Sequence, residues 1–148
     1  MSRGLGDVYK RQLRYKPEGE EFVITNGNKR FTRAIYGTNT GFRFETSDFP
    51  EFGLYMPNLG GSVYMAISTP SNITWIKDME FIESRFKSGQ RTYIVRDRRH
   101  LGNGSLTIDA VAMSDGDGLV VRYKAKDIPA GTKILWIYGG SQQSEIRT

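Results

Sequence analysis

The fold class is decided by residues 105–126, SLTIDAVAMSDGDGLVVRYKAK. Apolar and polar side chains alternate from Leu106 to Ala112 and again from Leu119 to Ala125. Alternation with a period of two is typical of a β-strand that buries one face. Because aspartate and glycine favour tight turns, the SDGDG between the two runs predicts a turn. This stretch therefore predicts two strands joined by a turn.

Outward from this stretch, short runs of the same kind recur along most of the chain. Turn-forming residues separate them at intervals of about 8–12 residues, which is typical of an antiparallel sandwich or barrel. Residues 80–86 fit helical as well as strand spacing, and we favour a strand because β-prone residues surround them. The prediction is an all-β fold, an antiparallel β-sandwich. The predicted strands are 22–25, 29–36, 41–45, 52–56, 62–68, 73–76, 80–86, 91–96, 105–113, 119–126 and 133–138.

Two local features sharpen this prediction. Asn26-Gly27 lies between two β-prone runs, and since both residue types tolerate a positive φ, the pair predicts a hairpin between the first two strands. Residues 133–138 are apolar on both alternating faces. That pattern predicts a strand buried on both sides, with Trp136 in the core.

Composition excludes several classes of site. The chain has 148 residues, enough for one domain or two small ones, and no cysteine. This excludes a disulfide scaffold, a thiolate metal site and a cysteine nucleophile. The single histidine, His100, excludes a multi-histidine metal site and leaves one candidate base for a serine nucleophile. No apolar run approaches the roughly 18 residues of a membrane helix. Taken together, these features lead us to expect no metal, no cofactor and no membrane contact.

The net charge of +5 does not indicate a nucleic-acid partner. The first twelve residues hold three basic residues and one acidic residue, so 18 basic and 15 acidic residues remain without them, a net +3. A nucleic-acid-binding surface needs a dense basic stripe, whereas the sequence has one short basic cluster at 96–100. We therefore expect no nucleic-acid partner.

The two ends of the chain differ in character from its middle. Residues 1–12, MSRGLGDVYKRQ, lack hydrophobic periodicity, and GDVYKRQ resembles a translated sequencing-adapter scar. A non-native leader is therefore expected at 1–12. The β-sandwich domain is expected at 13–140, followed by a truncated tail or linker at 141–148. On this interpretation the chain is a fragment of a larger protein.

No acidic pair in the sequence predicts glycosidic catalysis. A glycosidase places two carboxylates about 5–9.5 Å apart and keeps one of them protonated. Asp115 and Asp117 are expected to be solvated turn residues, and Asp109 projects from a strand without an acidic partner nearby in sequence. The SDGDG turn also lacks the ligand spacing of a calcium loop. We assign no catalytic residue.

A glycine-rich segment and one tryptophan are candidate substrate-binding positions. Gly60 and Gly61, together with Asn58, would let a ligand approach the backbone closely, although a simple hairpin connection explains the same residues. Trp75 follows a polar segment and is expected nearer the surface. An aromatic ring there would stack on the face of a sugar.

The basic cluster from Arg96 to His100 is the other candidate. Its arginines, Arg96 and Arg99 among them, would grip a carboxylate such as that of a uronic acid. His100 would act as a base only beside an orienting partner. The alternative is a solvated loop between two strands, with local ion pairing through Asp97.

Two segments carry a resemblance to a known family. They are FVITNGNKRFTRAIYGTNTGFRFETSDFPEFGLYMPNLGG at 22–61 and KILWIYGG at 133–140. The chain resembles, over most of residues 15–140, the family called domain of unknown function 4450. The resemblance implies a supersandwich-like β-sandwich at the front of large glycan-degrading enzymes of Gram-negative bacteria. This sandwich would precede an α/α-barrel catalytic domain of the six-hairpin glycosidase type. We transfer no catalytic motif of that family to this chain.

The resemblance implies a non-catalytic N-terminal module of a glycoside hydrolase that acts on complex polysaccharide. Such a module would pack on the catalytic domain of the same polypeptide, would lend a loop to oligosaccharide binding, and would be periplasmic or secreted. One alternative is a free-standing carbohydrate-binding module, which predicts an exposed row of aromatic side chains, whereas a packing module predicts a broad apolar patch. A second alternative is a single-strand nucleic-acid-binding β-barrel, which predicts basic residues interleaved with exposed aromatics.

Overall fold

The computed structural model describes residues 14–142, which form two antiparallel sheets packed face to face. Sheet I contains, in spatial order, β1 (Lys16–Glu18), β2 (Glu21–Thr25), β8 (Phe81–Lys87), β9 (Gln90–Arg96), β10 (Ser105–Ala112) and β11 (Leu119–Lys126). Sheet II contains β12 (Lys133–Gln142), β6 (Leu59–Thr69), β5 (Phe52–Met56), β4 (Arg43–Thr46) and β3 (Arg33–Tyr36), and β7 (Asn72–Trp75) pairs with the end of β6. The all-β sandwich predicted from the alternating sequence is confirmed.

The strands turn their apolar alternate positions toward the space between the sheets. In sheet I, Tyr93 of β9 lies opposite Ile108 of β10. In sheet II, Phe44 packs edge-to-face on Phe52, with 5.6 Å between the ring centroids. Phe52 also contacts Tyr93 across the core, with centroids 6.3 Å apart. Because burial of each such side chain contributes about 1.5–3 kcal/mol, this continuous core holds the two sheets together.

The hairpin predicted at Asn26-Gly27 is wrong, because the strands on either side belong to different sheets. β2 pairs with β1 and β8, whereas β3 pairs with β4. Asn26 has a φ of 48°; its N–H donates to the Ile82 carbonyl, and its Oδ1 accepts from the Ile82 N–H, each at 2.8 Å. A Cβ on Gly27 would lie within 2.7 Å of the Asp48 side chain. The pair therefore ends one ladder and begins the crossing to the other sheet.

The prediction that residues 133–138 are buried on both faces is also wrong. β12 is an edge strand of sheet II, and β6 is its one strand partner within the described range. Trp136 faces the same side as Met65 and meets the ring of Tyr123 edge-to-face at 5.0 Å. Trp136 is nevertheless 47% exposed, and Tyr138 is 65% exposed. Sheet I ends at β11 and covers this side of β12 only in part.

Helical structure is short in the described part of the chain. It comprises α1 (Arg98–Leu101) and a three-ten turn at Ile76–Asp78. Residues 80–86, whose spacing fits a helix as well as a strand, lie in β8 from Phe81 onward, so the strand prediction is confirmed. Among residues 14–142, no helix has the length and apolar character to cross a membrane.

A buried arginine lies at the centre of a polar cluster between the sheets. Arg91 on β9 is fully buried, and its Nη2 donates to the Tyr15 hydroxyl and to the Ser47 carbonyl, both at 2.6 Å. The Tyr93 hydroxyl donates to the same carbonyl at 2.9 Å, and burial raises the pKa of Tyr93 to about 12. The cluster thus joins β9 of sheet I to the connection between β4 and β5 of sheet II.

Asp48 supplies the negative charge of this cluster. Its side chain is fully buried and accepts hydrogen bonds from the Arg14 guanidinium, from the Tyr15 hydroxyl at 2.6 Å and from the Lys29 N–H at 2.8 Å. Tyr15 therefore bridges Arg91 and Asp48. Burial raises the pKa of the Asp48 carboxyl, but the three sets of hydrogen bonds outweigh burial and hold that pKa below its ordinary value.

Candidate functional site

The glycine-rich segment connects two strands and continues into the second. Pro57 and Asn58 form the two-residue turn between β5 and β6. Asn58 has a φ of 66°, a left-handed conformation that asparagine tolerates better than most residues. Gly60 and Gly61 lie within β6, between β5 and β12. The hairpin interpretation is therefore the one that the structure shows, and the loop expected at Gly60 and Gly61 is a strand.

Gly61 has a packing role that the sequence did not reveal. It pairs with Gly140 of β12, and the phenol end of Tyr138 lies over this glycine pair. A Cβ on Gly61 would stand 2.7 Å from the Tyr138 ring, and a Cβ on Gly140 would stand 2.6 Å from its hydroxyl. A Cβ on Gly60 would have its nearest contact at an ordinary 3.7 Å. The Gly61–Gly140 pair thus seats one side of the Tyr138 ring.

An open cavity of about 480 Å³ lies beside Tyr138. It is bounded by the β5–β6 hairpin, by the turn before β11 and by the end of β12, and Phe42 and Leu54 give it an apolar lining. Asp117 adds a carboxylate. Of the candidate residues chosen from sequence, Gly60 alone lines this cavity. Tyr138 was not among the candidates, and Asp117 was interpreted as a solvated turn residue, because the two are distant in sequence and only the fold places them at one opening.

The basic cluster forms a short helix instead of the expected loop. Asp97 caps α1 by accepting a hydrogen bond from the His100 N–H at 3.0 Å. Arg96 and Arg99 are exposed, and the Arg96 guanidinium lies 5.2 Å from the centre of the Phe81 ring. His100 is buried. The cluster therefore divides into a buried histidine and solvent-facing arginines.

Asp97 is also the orienting partner that a histidine base requires. His100 Nδ1 lies 2.9 Å from Asp97 Oδ1, and His100 Nε2 lies 2.8 Å from the Thr74 hydroxyl. An Nδ1–H that donates to the carboxylate leaves Nε2 to accept the hydroxyl proton, as in an acid–base–nucleophile triad. The cavity of about 280 Å³ next to Asp97 is lined by neither His100 nor Thr74. A substrate in that cavity would not meet the hydroxyl, so the contacts act as a clip between β7 and α1.

Replacement of Asp97 by alanine tests this clip. Asp97→Ala is expected to lower the free energy of unfolding by about 1–2 kcal/mol, because it removes the cap of α1 and the partner of His100. Urea denaturation measures the difference. Arg99→Ala on the same helix is the control, and its expected change is below about 0.5 kcal/mol because Arg99 is exposed. Equal losses in the two variants would contradict the clip.

The buried and half-buried aspartates do not have the properties of a glycosidase pair. Asp109 accepts hydrogen bonds from Arg122 and from the Thr92 hydroxyl, both at 2.7 Å. Burial raises the pKa of Asp109, but these bonds outweigh it and leave the pKa below its ordinary value, as also happens at Asp48 and Asp97. A general acid needs the opposite shift. Within residues 14–142, no group of three or more acidic or histidine side chains is placed to hold a metal ion.

The outer faces of the two sheets differ in chemistry. On sheet I, one polar row crosses four strands and consists of Arg85, Thr92, Asp109 and Arg122. On sheet II, the outer face over β12, β6 and β7 carries a group of apolar side chains beside Ser68 and Lys133, and we call this group the apolar patch. The apolar patch consists of Tyr64, Ile73, Trp75, Leu135 and Ile137. Trp75, chosen from sequence as a surface aromatic, is partly exposed within this patch.

Two cross-strand rows hold all of the apolar patch except Ile73, which lies in the row of Ser68 and Lys133. Leu135, Ala66 and Trp75 lie side by side across β12, β6 and β7. Ile137 lies opposite Tyr64 in the next row, and the Tyr64 and Trp75 rings meet at 71° with centroids 6.2 Å apart. Ile137 is 40% exposed and Trp75 is 41% exposed. The patch therefore presents a contiguous apolar surface to solvent.

A family model matches the part of the chain that holds both the apolar patch and most of the cavity. The model is that of Domain of unknown function (DUF4450), and it matches residues 56–146, more than half of the chain. Most of the 22–61 segment, on which the resemblance in sequence largely rests, precedes the matched range. No curated protein and no solved structure matches the chain. The chain belongs to the family Domain of unknown function (DUF4450).

Proposed function

We propose that the chain is a non-catalytic β-sandwich module of a glycoside hydrolase that acts on complex polysaccharide. The module packs through its apolar patch on a catalytic domain of the same polypeptide, and the enzyme is periplasmic or secreted. Membership of the family supports this setting, because the resemblance described above implies a module of such enzymes. The apolar patch is the observation that carries the proposal.

The apolar patch has the properties of a surface that a neighbouring domain covers. It spans three adjacent strands, and β12, at its free edge, holds no charged residue after Lys133. Natural edge strands are usually protected by charges, bulges or proline, as β11 is by Lys124 and Lys126. An exposed apolar face beside an unprotected edge is instead typical of an interface. A packed domain would cover both the face and the edge of β12.

The acidic groups support a non-catalytic role. Glycosidic hydrolysis near neutral pH needs one carboxyl group that remains protonated. Asp48, Asp97 and Asp109 lie in buried or half-buried surroundings, and the hydrogen bonds they accept lower the pKa of each. Each is therefore held in its ionised form. The proposal accordingly leaves the hydrolytic step to the catalytic domain.

Extension of the chain into its flanking reading frame tests the proposal. We expect the backbone amides of β12 to exchange with deuterium at least about tenfold more slowly in the longer polypeptide than in the 148-residue chain, because packing excludes water from this edge. We also expect the longer polypeptide to release reducing ends from a panel of polysaccharides. The 148-residue chain alone is expected to release none.

Matched variants of the longer polypeptide locate the interface. Ile137→Lys introduces a charge into the apolar patch and is expected to abolish the protection of β12. Val120→Lys is the control, because Val120 is an exposed apolar residue on the outer face of sheet I. Equal exchange of β12 in the two chain lengths, or hydrolysis by the 148-residue chain unaided, would overturn the proposal.

A free-standing carbohydrate-binding module is the second candidate, and the exposed aromatics of sheet II are the observation that favours it. A flat sugar-binding platform needs rings that are nearly coplanar. Tyr64 and Trp75 are instead inclined at 71°, and the Arg43 guanidinium covers the Tyr55 ring at 3.9 Å from its centre. The outer face of sheet II therefore supports packing better than it supports sugar stacking.

A single-strand nucleic-acid-binding barrel is the weakest candidate. The described strands form two separate sheets and do not close into a barrel. Nucleic-acid grooves of this type interleave basic residues with exposed aromatics. In the apolar patch, the exposed ring of Trp75 lies beside Ala66 and the Tyr64 ring, neither of which is basic.

A further inference from the structure

We propose that the cavity beside Tyr138 is a binding subsite for a neutral saccharide ring. Tyr138 is the stacking surface, and Asp117 accepts hydrogen bonds from sugar hydroxyls. The choice of a saccharide rests in part on the proposed function. The subsite itself is distinct from the apolar patch, because Tyr138 lies on the inward-facing side of β12 and the patch lies on its outward-facing side.

The ring of Tyr138 packs against the backbone of β6 and β12. Its phenol end lies over Gly61 and Gly140, and a Cβ at either position would come within 2.7 Å of it. Neither glycine has a positive φ, so the backbone does not require glycine at these positions. Glycine is required there because the Tyr138 ring and the neighbouring backbone approach closely. A ring seated in this way loses little conformational freedom on binding, which favours affinity.

The cavity offers the mixture of surfaces that a sugar ring presents. Phe42, Leu54 and Leu119 form an apolar lining that suits the C–H faces of a sugar. Asp117 is exposed and places a carboxylate at the opening, where it can accept hydrogen bonds from hydroxyl groups. The volume of about 480 Å³ lies within the range of small-molecule sites. An apolar surface with a few polar groups at its rim is the usual composition of such sites.

Charge distinguishes this subsite from sites for anions. An anion such as a uronic acid or a phosphate would meet the negative charge of Asp117 without a compensating cation in the cavity lining. A purely aliphatic ligand would offer no hydrogen-bond donor to that carboxylate. An aromatic ring beside a carboxylate would also attract a quaternary ammonium ion; the proposed function favours the saccharide over this cation, and choline is the probe that separates the two.

Titration calorimetry and amide chemical shifts of the 148-residue chain test the subsite. The probes are cellohexaose, xylohexaose and mannohexaose as neutral saccharides, hexagalacturonate as an anion, and choline as a cation. We expect at least one neutral saccharide to bind with millimolar or tighter affinity and to shift the amides of Gly60, Asp117 and Gly140. We expect no binding of hexagalacturonate or choline there. Binding of either charged probe at these amides, or of no neutral probe, would overturn the proposal.

Variants test the role of the seated ring. Tyr138→Ala is expected to weaken saccharide binding by about tenfold or more, whereas Tyr138→Phe keeps the ring and most of the affinity. Gly140→Ala is expected to weaken binding by displacing the phenol. Gly139→Ala is the matched control, because Gly139 does not line the cavity and its new Cβ would meet nothing within 4 Å. Thermal unfolding shows that each variant is folded, and equal affinity of Tyr138→Ala and Gly139→Ala would contradict the stacking role.

The outcomes separate this proposal from the proposed function. Ile137 faces outward, so Ile137→Lys is expected to leave saccharide binding unchanged. If β12 is protected in the longer polypeptide but no saccharide binds, only the subsite proposal is contradicted. If a saccharide binds but β12 is not protected, only the proposed packing on a catalytic domain is contradicted, and a free-standing carbohydrate-binding module is favoured.

Discussion

Arg91→Ala is expected to lower the free energy of unfolding by about 3–5 kcal/mol. Arg91 is fully buried, and its Nη2 binds the Tyr15 hydroxyl and the Ser47 carbonyl at 2.6 Å. The substitution leaves both groups without this donor and opens a cavity between the sheets. Urea denaturation should show a lower midpoint, and the thermal midpoint should fall by more than about 10 °C.

Arg85→Ala is the matched control for this prediction. Arg85 lies on the neighbouring strand β8 and contacts three carboxylates, those of Glu18, Glu21 and Glu83, on the outer face of sheet I. Because ion pairs near solvent contribute little, the expected loss is below about 1 kcal/mol. If Arg91→Ala does not yield folded protein, Arg91→Met keeps much of the apolar volume and makes the comparison measurable. A larger loss at Arg85 than at Arg91 would show that burial does not decide the effect.

Asp48→Asn is expected to lower the free energy of unfolding by about 2–4 kcal/mol at neutral pH. The substitution keeps the size of the side chain but removes the charge that faces the Arg14 guanidinium. It also replaces one acceptor oxygen with a donor beside the Tyr15 hydroxyl and the Lys29 N–H. Chemical denaturation of both proteins at neutral pH measures the loss.

The pH dependence of this loss identifies its cause. The pKa of Asp48 is lower in the folded protein than its ordinary value. Its contribution to stability is therefore complete above the unfolded-state pKa of about 4 and disappears as the pH falls through the folded-state pKa. The difference between the native protein and Asp48→Asn should narrow below about pH 4. Asp115→Asn, in an exposed turn, should show no difference at any pH, and a gap at Asp48 that stayed constant in acid would exclude the ionic explanation.

Local strand formation could be predicted well from the sequence. Residues 105–113 and 119–126 were predicted as strands, and β10 and β11 cover Ser105–Ala112 and Leu119–Lys126. Alternation along a strand is a local property, because successive side chains point to opposite faces whatever the partner strand is. The polarity of each face then decides which one is buried.

Strand partners could not be predicted in the same way. Asn26-Gly27 has the residue types of a hairpin turn, but Asn26 binds Ile82 of β8 and Gly27 lies against Asp48. These partners lie far along the chain, so no short window of sequence contains them. The prediction that Trp136 lies in the core failed for the same reason, because the exposure of Trp136 depends on how far sheet I reaches beyond Tyr123.

The candidate site was predicted only in part. Gly60 lines the cavity and Trp75 lies in the apolar patch. Arg96 and Arg99 point to solvent, whereas His100 is buried against Asp97 and Thr74. The sequence contains these residue types but not the contacts that separate them, because a clip between β7 and α1 requires the two segments to meet in space.

By itself the sequence determined that this chain forms strands, which face of most strands is apolar, and that cysteine chemistry and multi-histidine metal sites are excluded. Only the tertiary structure decided that the apolar face of β12, β6 and β7 lies exposed and that Tyr138 is seated on a glycine pair beside Asp117. The physical reason is the separation along the chain of the residues that interact. Strand propensity and side-chain alternation depend on neighbours in the chain. Burial, hydrogen-bond partners and cavities depend on distant segments that only the packing of two sheets brings together.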